Sequence, residues 1–245
     1  MKRKCVLLRV GVDSGSGCIQ SPLFANGTFE FVCIPDRSGV GKQTYGNTVG
    51  RCRTPLIDYF PPSRRAAMMK TSIHIDPEFE SLTYGDPTLP KRSLRRLNKC
   101  DLLVFYCGLQ HWNVASGWIQ SMRPGLYLAG YFEVALAGMA CEFESKVLKR
   151  EFGSNFHVRH RSLFDRQKRD LVLVKGGKGS RLFNRAYQIS EEGRDKTGKP
   201  LKVLSSEMQK VFGTFDGKIA IQRSPPRWVA DENIDKAIAF VKGLK

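Results

Sequence analysis

The chain has 245 residues, 41% of them hydrophobic, with 23 glycines and 12 prolines, which excludes a disordered or collagen-like polypeptide and gives ample length to bury a core. Forty lysines and arginines against 23 acids leave a net charge of +17. Such a field favours polyanions, nucleic acid first, with an anionic membrane surface or a merely basic background as the alternatives.

The start, MKRKCVLLRVGVDSGSG, imitates a signal peptide, but Arg9 interrupts the apolar run, and residues 4–12 read better as a buried strand entering a glycine turn. TFEFVCI (28–34) alternates and predicts a second strand, closed by Pro35. From Asp36 to Pro90 the chain is rich in Gly, Pro, Thr and Tyr, which predicts long loops around short elements. DLLVFYCGL (101–109) and GLYLAGYFEVA (125–135) are the strongest β segments and are expected to pair antiparallel. Residues 135–153 have helix composition, DLVLVKGG (170–177) reads as a strand, and KGSRLFNRA after it as a helix start. SSEMQKVFG (205–213) carries a serine cap and a closing glycine. KIAIQRS (218–224) predicts a strand, and 231–245 an amphipathic helix with its acids at the N-terminal end. Strands and helices mix without a βαβ rhythm, so the expected class is α+β. No run approaches 18 apolar residues, so no membrane span is expected. Seven cysteines without framework spacing suit a reducing cytoplasm, the expected location.

The basic residues cluster. Twelve lie between Lys146 and Arg185 against three acids, and five more lie in Lys91–Lys99 with none. Lys175-Gly-Gly-Lys178-Gly-Ser180-Arg181 is the best phosphate candidate: a flexible basic loop after a strand, or else a solvated turn. Asp36-Arg-Ser-Gly-Val-Gly-Lys-Gln43 fails as a nucleotide-hydrolysing loop, because Asp36 stands for the first glycine and Gln43 for the magnesium-holding hydroxyl. In QRSPPRWV (222–229) two prolines stiffen a segment carrying Arg223, Arg227 and Trp228, which reads as a clamp on phosphate or base, or as a loop pinned by its tryptophan. Tyr106, Trp112 and Trp118 offer stacking faces for a base, or core packing.

Two groups suggest chemistry. His74-Ile-Asp76-Pro-Glu78-Phe-Glu80 puts an imidazole and three carboxylates at alternate positions, so in an extended segment they share a face. That pattern suits an acid–base pair, a hard-metal site or a polar strand face. Asp13, in the turn Asp13-Ser-Gly-Ser-Gly17, can orient a base or a water, and Asp86 joins it as a further candidate acid or base. Cys100, Cys107 and His111 have no C-x-x-C pair and give a weak case for zinc, so no metal is assigned.

The blocks LLRVGVDSGSG, NGTFEFVCIPD, TYGN, HIDPEFESLTYGDPT, DLLVFY, GLYLAGYFEV, VKGGKGSRLFNRA and QRSPPRWV, in this order, resemble the third of the nucleotide-modification-associated domain families. The resemblance implies one domain over 1–245 that serves a prokaryotic or phage system altering DNA bases, with DNA or a modified base as partner and no cofactor specified. Residues around 98–177 also look like the core of PUA and EVE-type barrels, which bind bases in an aromatic pocket. The expected fold is therefore α+β with a mixed, mainly antiparallel sheet, or a PUA-like β-barrel, with peripheral helices. Two functions stay open: a binder of DNA phosphates and a base, or an enzyme using Asp13 and the His74-Asp76-Glu78 group on a base or nucleotide. A subunit docking an acidic partner is the third.

Overall fold

The computed structural model describes residues 2–13, 15, 19–222 and 225–244. Strand β1 (Cys5–Arg9) alternates its side chains between two cores, Cys5 and Leu7 to one, Val6 and Leu8 to the other. After β2 (Ser21–Leu23) the chain leaves the sheet for β3 (Ile34–Pro35), α1 (Pro62–Met69) and β4 (Ile73–His74), then returns as β5 (Thr83–Asp86). Next come the long β6 (Leu102–Asn113), the short β7 (Gly117–Trp118) and β8 (Gly125–Met139). Helices α2 (Ser145–Phe152), α3 (Phe156–Arg159) and α4 (Arg161–Gln167) lead to β9 (Val172–Gly176) and β10 (Arg181–Gln188). The hairpin β11 (Ser190–Arg194)–β12 (Pro200–Leu204), helix α5 (Ser206–Phe212), β13 (Arg227–Trp228) and helix α6 (Ile234–Gly243) complete the order.

Among the described residues the main sheet runs β13-β1-β6-β8-β9-β5, with β10 on β8 and with β2 and β7 on β6. β1 and β2 run parallel to β6; the other pairs are antiparallel. The class is α+β and mainly antiparallel, as the sequence leads one to expect, and the sheet stays open rather than closing into a barrel. Its axis is the β6–β8 pair, with Leu102 opposite Glu133. A shift of register between Phe105 and Tyr106 lets Tyr106 and Cys107 both join the same core. Helices α5 and α6 cover that face through Met208, Phe212, Ile234 and Ile238. Tyr84, Leu94 and Leu97 pack on the other face. A third cluster, around Tyr45, Tyr59 and Phe60, gives the loop-rich segment a core of its own.

Four expectations need correction. The helix composition of 135–153 yields to strand pairing, because β8 continues to Met139 against β9 and α2 starts only at Ser145. KGSRLFNRA forms β10 instead of a helix, its backbone taken up by the free side of β8 while Phe183 is buried. TFEFVCI reaches a strand only at its last residue, Ile34 in β3, and KIAIQ makes isolated bridges and short backbone contacts; Arg223 and Ser224 lie outside the described residues. No helix among the described residues is long and apolar enough to cross a membrane.

Candidate active site

A cleft of about 720 Å³ opens where the loop segment meets the sheet edge and α3. Its floor is assembled from three stretches. β4 pairs with β3, placing His74 opposite Ile34, and Asp76 follows two residues after the strand ends. Residues spaced two apart on extended backbone point the same way. Asp76 accepts the Gly85 N–H of β5 at 3.2 Å to each carboxylate oxygen. Gly85 leaves little room there: a Cβ would stand 3.0 Å from Asn155 Oδ1 and from His157 Cδ2, and 3.1 Å from Leu173 Cδ2. That close approach carries α3, and with it His157, onto Asp76.

Buried polar contacts hold α3 in place. The Asn155 side chain caps it, accepting from the His157 N–H at 3.1 Å and donating to Thr83 Oγ1 at 3.2 Å. Glu78 accepts the Phe156 N–H at 2.6 Å and the Arg159 guanidinium at 3.3 Å. Glu78 therefore stands behind the floor and does not line the cleft.

His74 Nε2 lies 4.0 Å, and His157 Nε2 3.9 Å, from Asp76 Oδ2. The two imidazoles meet edge to face with centroids 4.7 Å apart. Their Nε2 atoms are buried and make no hydrogen bond. His157 Nδ1 sits 2.7 Å from Gln167 Oε1, an acceptor, so Nδ1 carries the proton and Nε2 presents its lone pair to Asp76. Burial, then the facing His157, pushes His74 down to about 3, and burial also lowers His157 against the pull of Gln167. Burial thus favours the neutral form of both rings. Burial raises the Asp76 carboxyl well above the usual carboxylate range despite its Gly85 bond, and the charges of Asp86 and Glu78 add to the rise.

One wall is Asp86, which accepts from Tyr84 Oη at 3.0 Å and Thr88 N at 2.7 Å and lies 3.8 Å from Lys91 Nζ. Lys91 is buried, and burial lowers its pKa against the opposing pull of Asp86 and Asp76. Across the cleft Asp13 meets Arg9 at 3.4 Å and accepts the Gly15 N–H at 2.9 Å. Burial would raise Asp36, but hydrogen bonds from Ser38 and Gly41 outweigh it and hold that carboxyl below its ordinary value. Arg37 lines the mouth and is exposed.

Asp13, His74, Asp76 and Asp86 thus come together in one cleft. The candidate binding residues stand elsewhere. Tyr106 is fully buried and donates to the Ile221 carbonyl at 2.8 Å. Trp112 and Trp118 pair across β6 and β7 with centroids 4.7 Å apart, and Trp118 Nε1 donates to the Tyr59 carbonyl at 3.1 Å. Lys175 donates to the Ser81 carbonyl at 2.8 Å, Ser180 Oγ accepts the Glu133 N–H at 3.0 Å, and Arg181 reaches the Lys242 carbonyl at 2.9 Å. Lys178 is exposed at the turn. Arg227 and Trp228 pair with β1, and the Arg96 guanidinium lies 4.6 Å from the centre of the Trp228 ring. Gln222 and Pro225, from the same proline-stiffened segment, do line the cleft. Cys100, Cys107 and His111 gather no ligand group among the described residues.

The family model for nucleotide modification associated domain 3 matches residues 4–242, nearly the whole chain. The chain belongs to this family. A role in nucleotide or base modification systems, and association with nucleic acid or nucleotide, come with that membership. No curated protein and no solved structure matches the chain. For this member of the domain 3 family the cleft therefore has to be read from its own chemistry. His157, Lys91 and Asp36 are the residues that the sequence reading left out of the candidate chemistry. His157 lies in the basic stretch FHVRH, and Lys91 begins a run whose charge suggests a solvated face. The signal available was the pair His74-x-Asp76 with a further histidine downstream.

Proposed function

We propose that the protein is an enzyme that alters a nucleobase or nucleotide held in this cleft. The observation that carries the reading is the convergence of Asp13, His74, Asp76 and Asp86 with the buried Lys91 on one cavity. A module that only reads a base needs stacking faces and donors, and has little use for a buried amine beside Asp86 in a cleft that also holds Asp13 and Asp76. Burial favours the neutral amine of Lys91, the form that accepts a proton, and Asp86 lies next to it to receive or relay one. The cavity has the size of an ordinary small-molecule site and accommodates a nucleoside or nucleotide. Arg37 at the mouth suits a phosphate.

The test is incubation with unmodified and modified DNA and with free nucleotides, followed by mass spectrometry of the nucleosides. A mass shift is expected, and Lys91→Met should reduce its rate by about 10²–10⁴-fold with the fold intact. Unchanged masses throughout, with binding retained, would leave a reader and remove the enzyme.

A substrate base carried in DNA is the reading favoured by the net charge of +17. The exposed cations of 92–99 and 146–185, Lys178 among them, with the Arg227–Trp228 edge, then hold phosphates with little sequence preference. DNA affinity should fall steeply from low to moderate salt in a filter-binding or anisotropy titration. A flat response would restrict the substrate to free nucleotides.

A further inference from the structure

We propose that His74, Asp76 and His157 form a binding site for one divalent first-row transition-metal ion on the floor of the cleft. Their ligand atoms lie within 4.8 Å of one another. Atoms so spaced reach a common centre at roughly 2.5 Å, a few tenths of an ångström outside the about 2.0–2.2 Å of metal–imidazole and metal–carboxylate bonds. Small rotations of two rings close that gap.

The alternative, a hydrogen-bonded His–Asp–His network, fails on distance. The N–O separations of 3.9 and 4.0 Å exceed the about 3.2 Å limit of a hydrogen bond. Both Nε2 atoms are left buried and unpartnered, and the His157 side chain is only 3% exposed. A buried polar atom without a partner is costly, so two facing one carboxylate call for a common ligand. A cation would engage the two imidazole nitrogens and the Asp76 carboxylate at once.

The groups behind the three ligands suit this role. The Gln167 amide oxygen takes the His157 Nδ1 proton at 2.7 Å, fixing the tautomer that frees Nε2. The Gly85 N–H orients Asp76 from behind. Such outer contacts regularly aim metal ligands. Two imidazoles with a single carboxylate select zinc, cobalt, iron or manganese over magnesium and calcium, which prefer oxygen alone. Three protein ligands leave positions open toward the cleft, where a water or a substrate oxygen would bind.

The site deepens the enzymatic reading and shares its cleft, but ion binding is measured without turnover, so the two can fail separately. Chelator-stripped protein is titrated with Co²⁺ and then Zn²⁺, followed by visible absorption, metal analysis after gel filtration, and circular dichroism. We expect about one ion per chain, a Co²⁺ visible spectrum displaced by Zn²⁺, and affinity rising from Mn²⁺ to Co²⁺. His157→Ala should lose the bound ion, and Gln167→Leu should weaken it by about 10–100-fold. If His157→Ala does not fold, Gln167→Leu and the wild-type spectrum decide. A folded wild type that retains no ion, or one whose affinity is unmoved by Gln167→Leu and His157→Ala, overturns the site. Metal-loaded protein without turnover sinks the enzymatic reading alone.

Discussion

Glu30 lies just after β2, Asp101 just before β6 and Asp76 on the cleft floor; all three carboxylates are buried, yet they are partnered differently. Glu30 accepts backbone N–H groups from Phe31 at 3.1 Å and from Arg51 and Cys52 at 3.0 Å each. Asp101 accepts from Lys4 N and Asn98 N at 2.7 Å each. Those bonds tie the turn at Arg51–Cys52 to the segment that follows β2, and the N-terminal segment to the start of β6, so each carboxylate takes up backbone donors. Asp76 has one N–H, shared between its oxygens at 3.2 Å, and two imidazole nitrogens beyond bonding range. A buried acid with its full set of donors is a structural joint. One left with unfilled capacity beside unpartnered nitrogens is a place kept for a ligand.

The contrast is open to a direct break through stability. Glu30→Ala removes the buried acceptor of the Arg51 and Cys52 N–H groups. The expected cost is about 3 kcal/mol, or roughly 6–12 °C in Tm for a chain of this length. Glu30→Gln, which keeps an acceptor oxygen, should recover about half of it. Reversible thermal or urea denaturation checks both. A loss below about 1 kcal/mol in Glu30→Ala would mean that the donors find other partners, and the structural half of the comparison would fall.

The same contrast explains what could be read before the structure. β6 and β8 were legible because pairing and burial act on runs of eight or more apolar residues; α5 was legible because Ser205 accepts the Met208 N–H and Gly213 takes φ 69°. Local chemistry sufficed. Residues 181–188 were misread because the free side of β8, some 50 positions earlier, decides their conformation. His74 and Asp76 were legible as a pair through their spacing alone. His157 was not, since its burial depends on Phe156 N–H reaching Glu78 across 78 residues. Lys91 likewise belongs by sequence to a run of exposed cations, and only the fold turns it inward to Asp86. Periodicity reports which face is apolar; it carries no record of which distant polar groups will share a cavity.

The smallest expected effect is the most informative one. Asp76→Asn keeps an oxygen for the Gly85 N–H and nearly the same volume, while removing a charge that burial disfavours. In metal-stripped protein with chelator present, its Tm at neutral pH should match or slightly exceed that of the wild type, within about 1 kcal/mol. The sign follows from the raised carboxyl: above its ordinary pKa the wild type must either bury a charge or take up a proton on folding, and the amide does neither. Glu30→Ala, equally buried, should lose several degrees under the same conditions. If Asp76→Asn unfolds as readily as Glu30→Ala, Asp76 is a joint like the others, and its two facing histidines have lost their reason to be there.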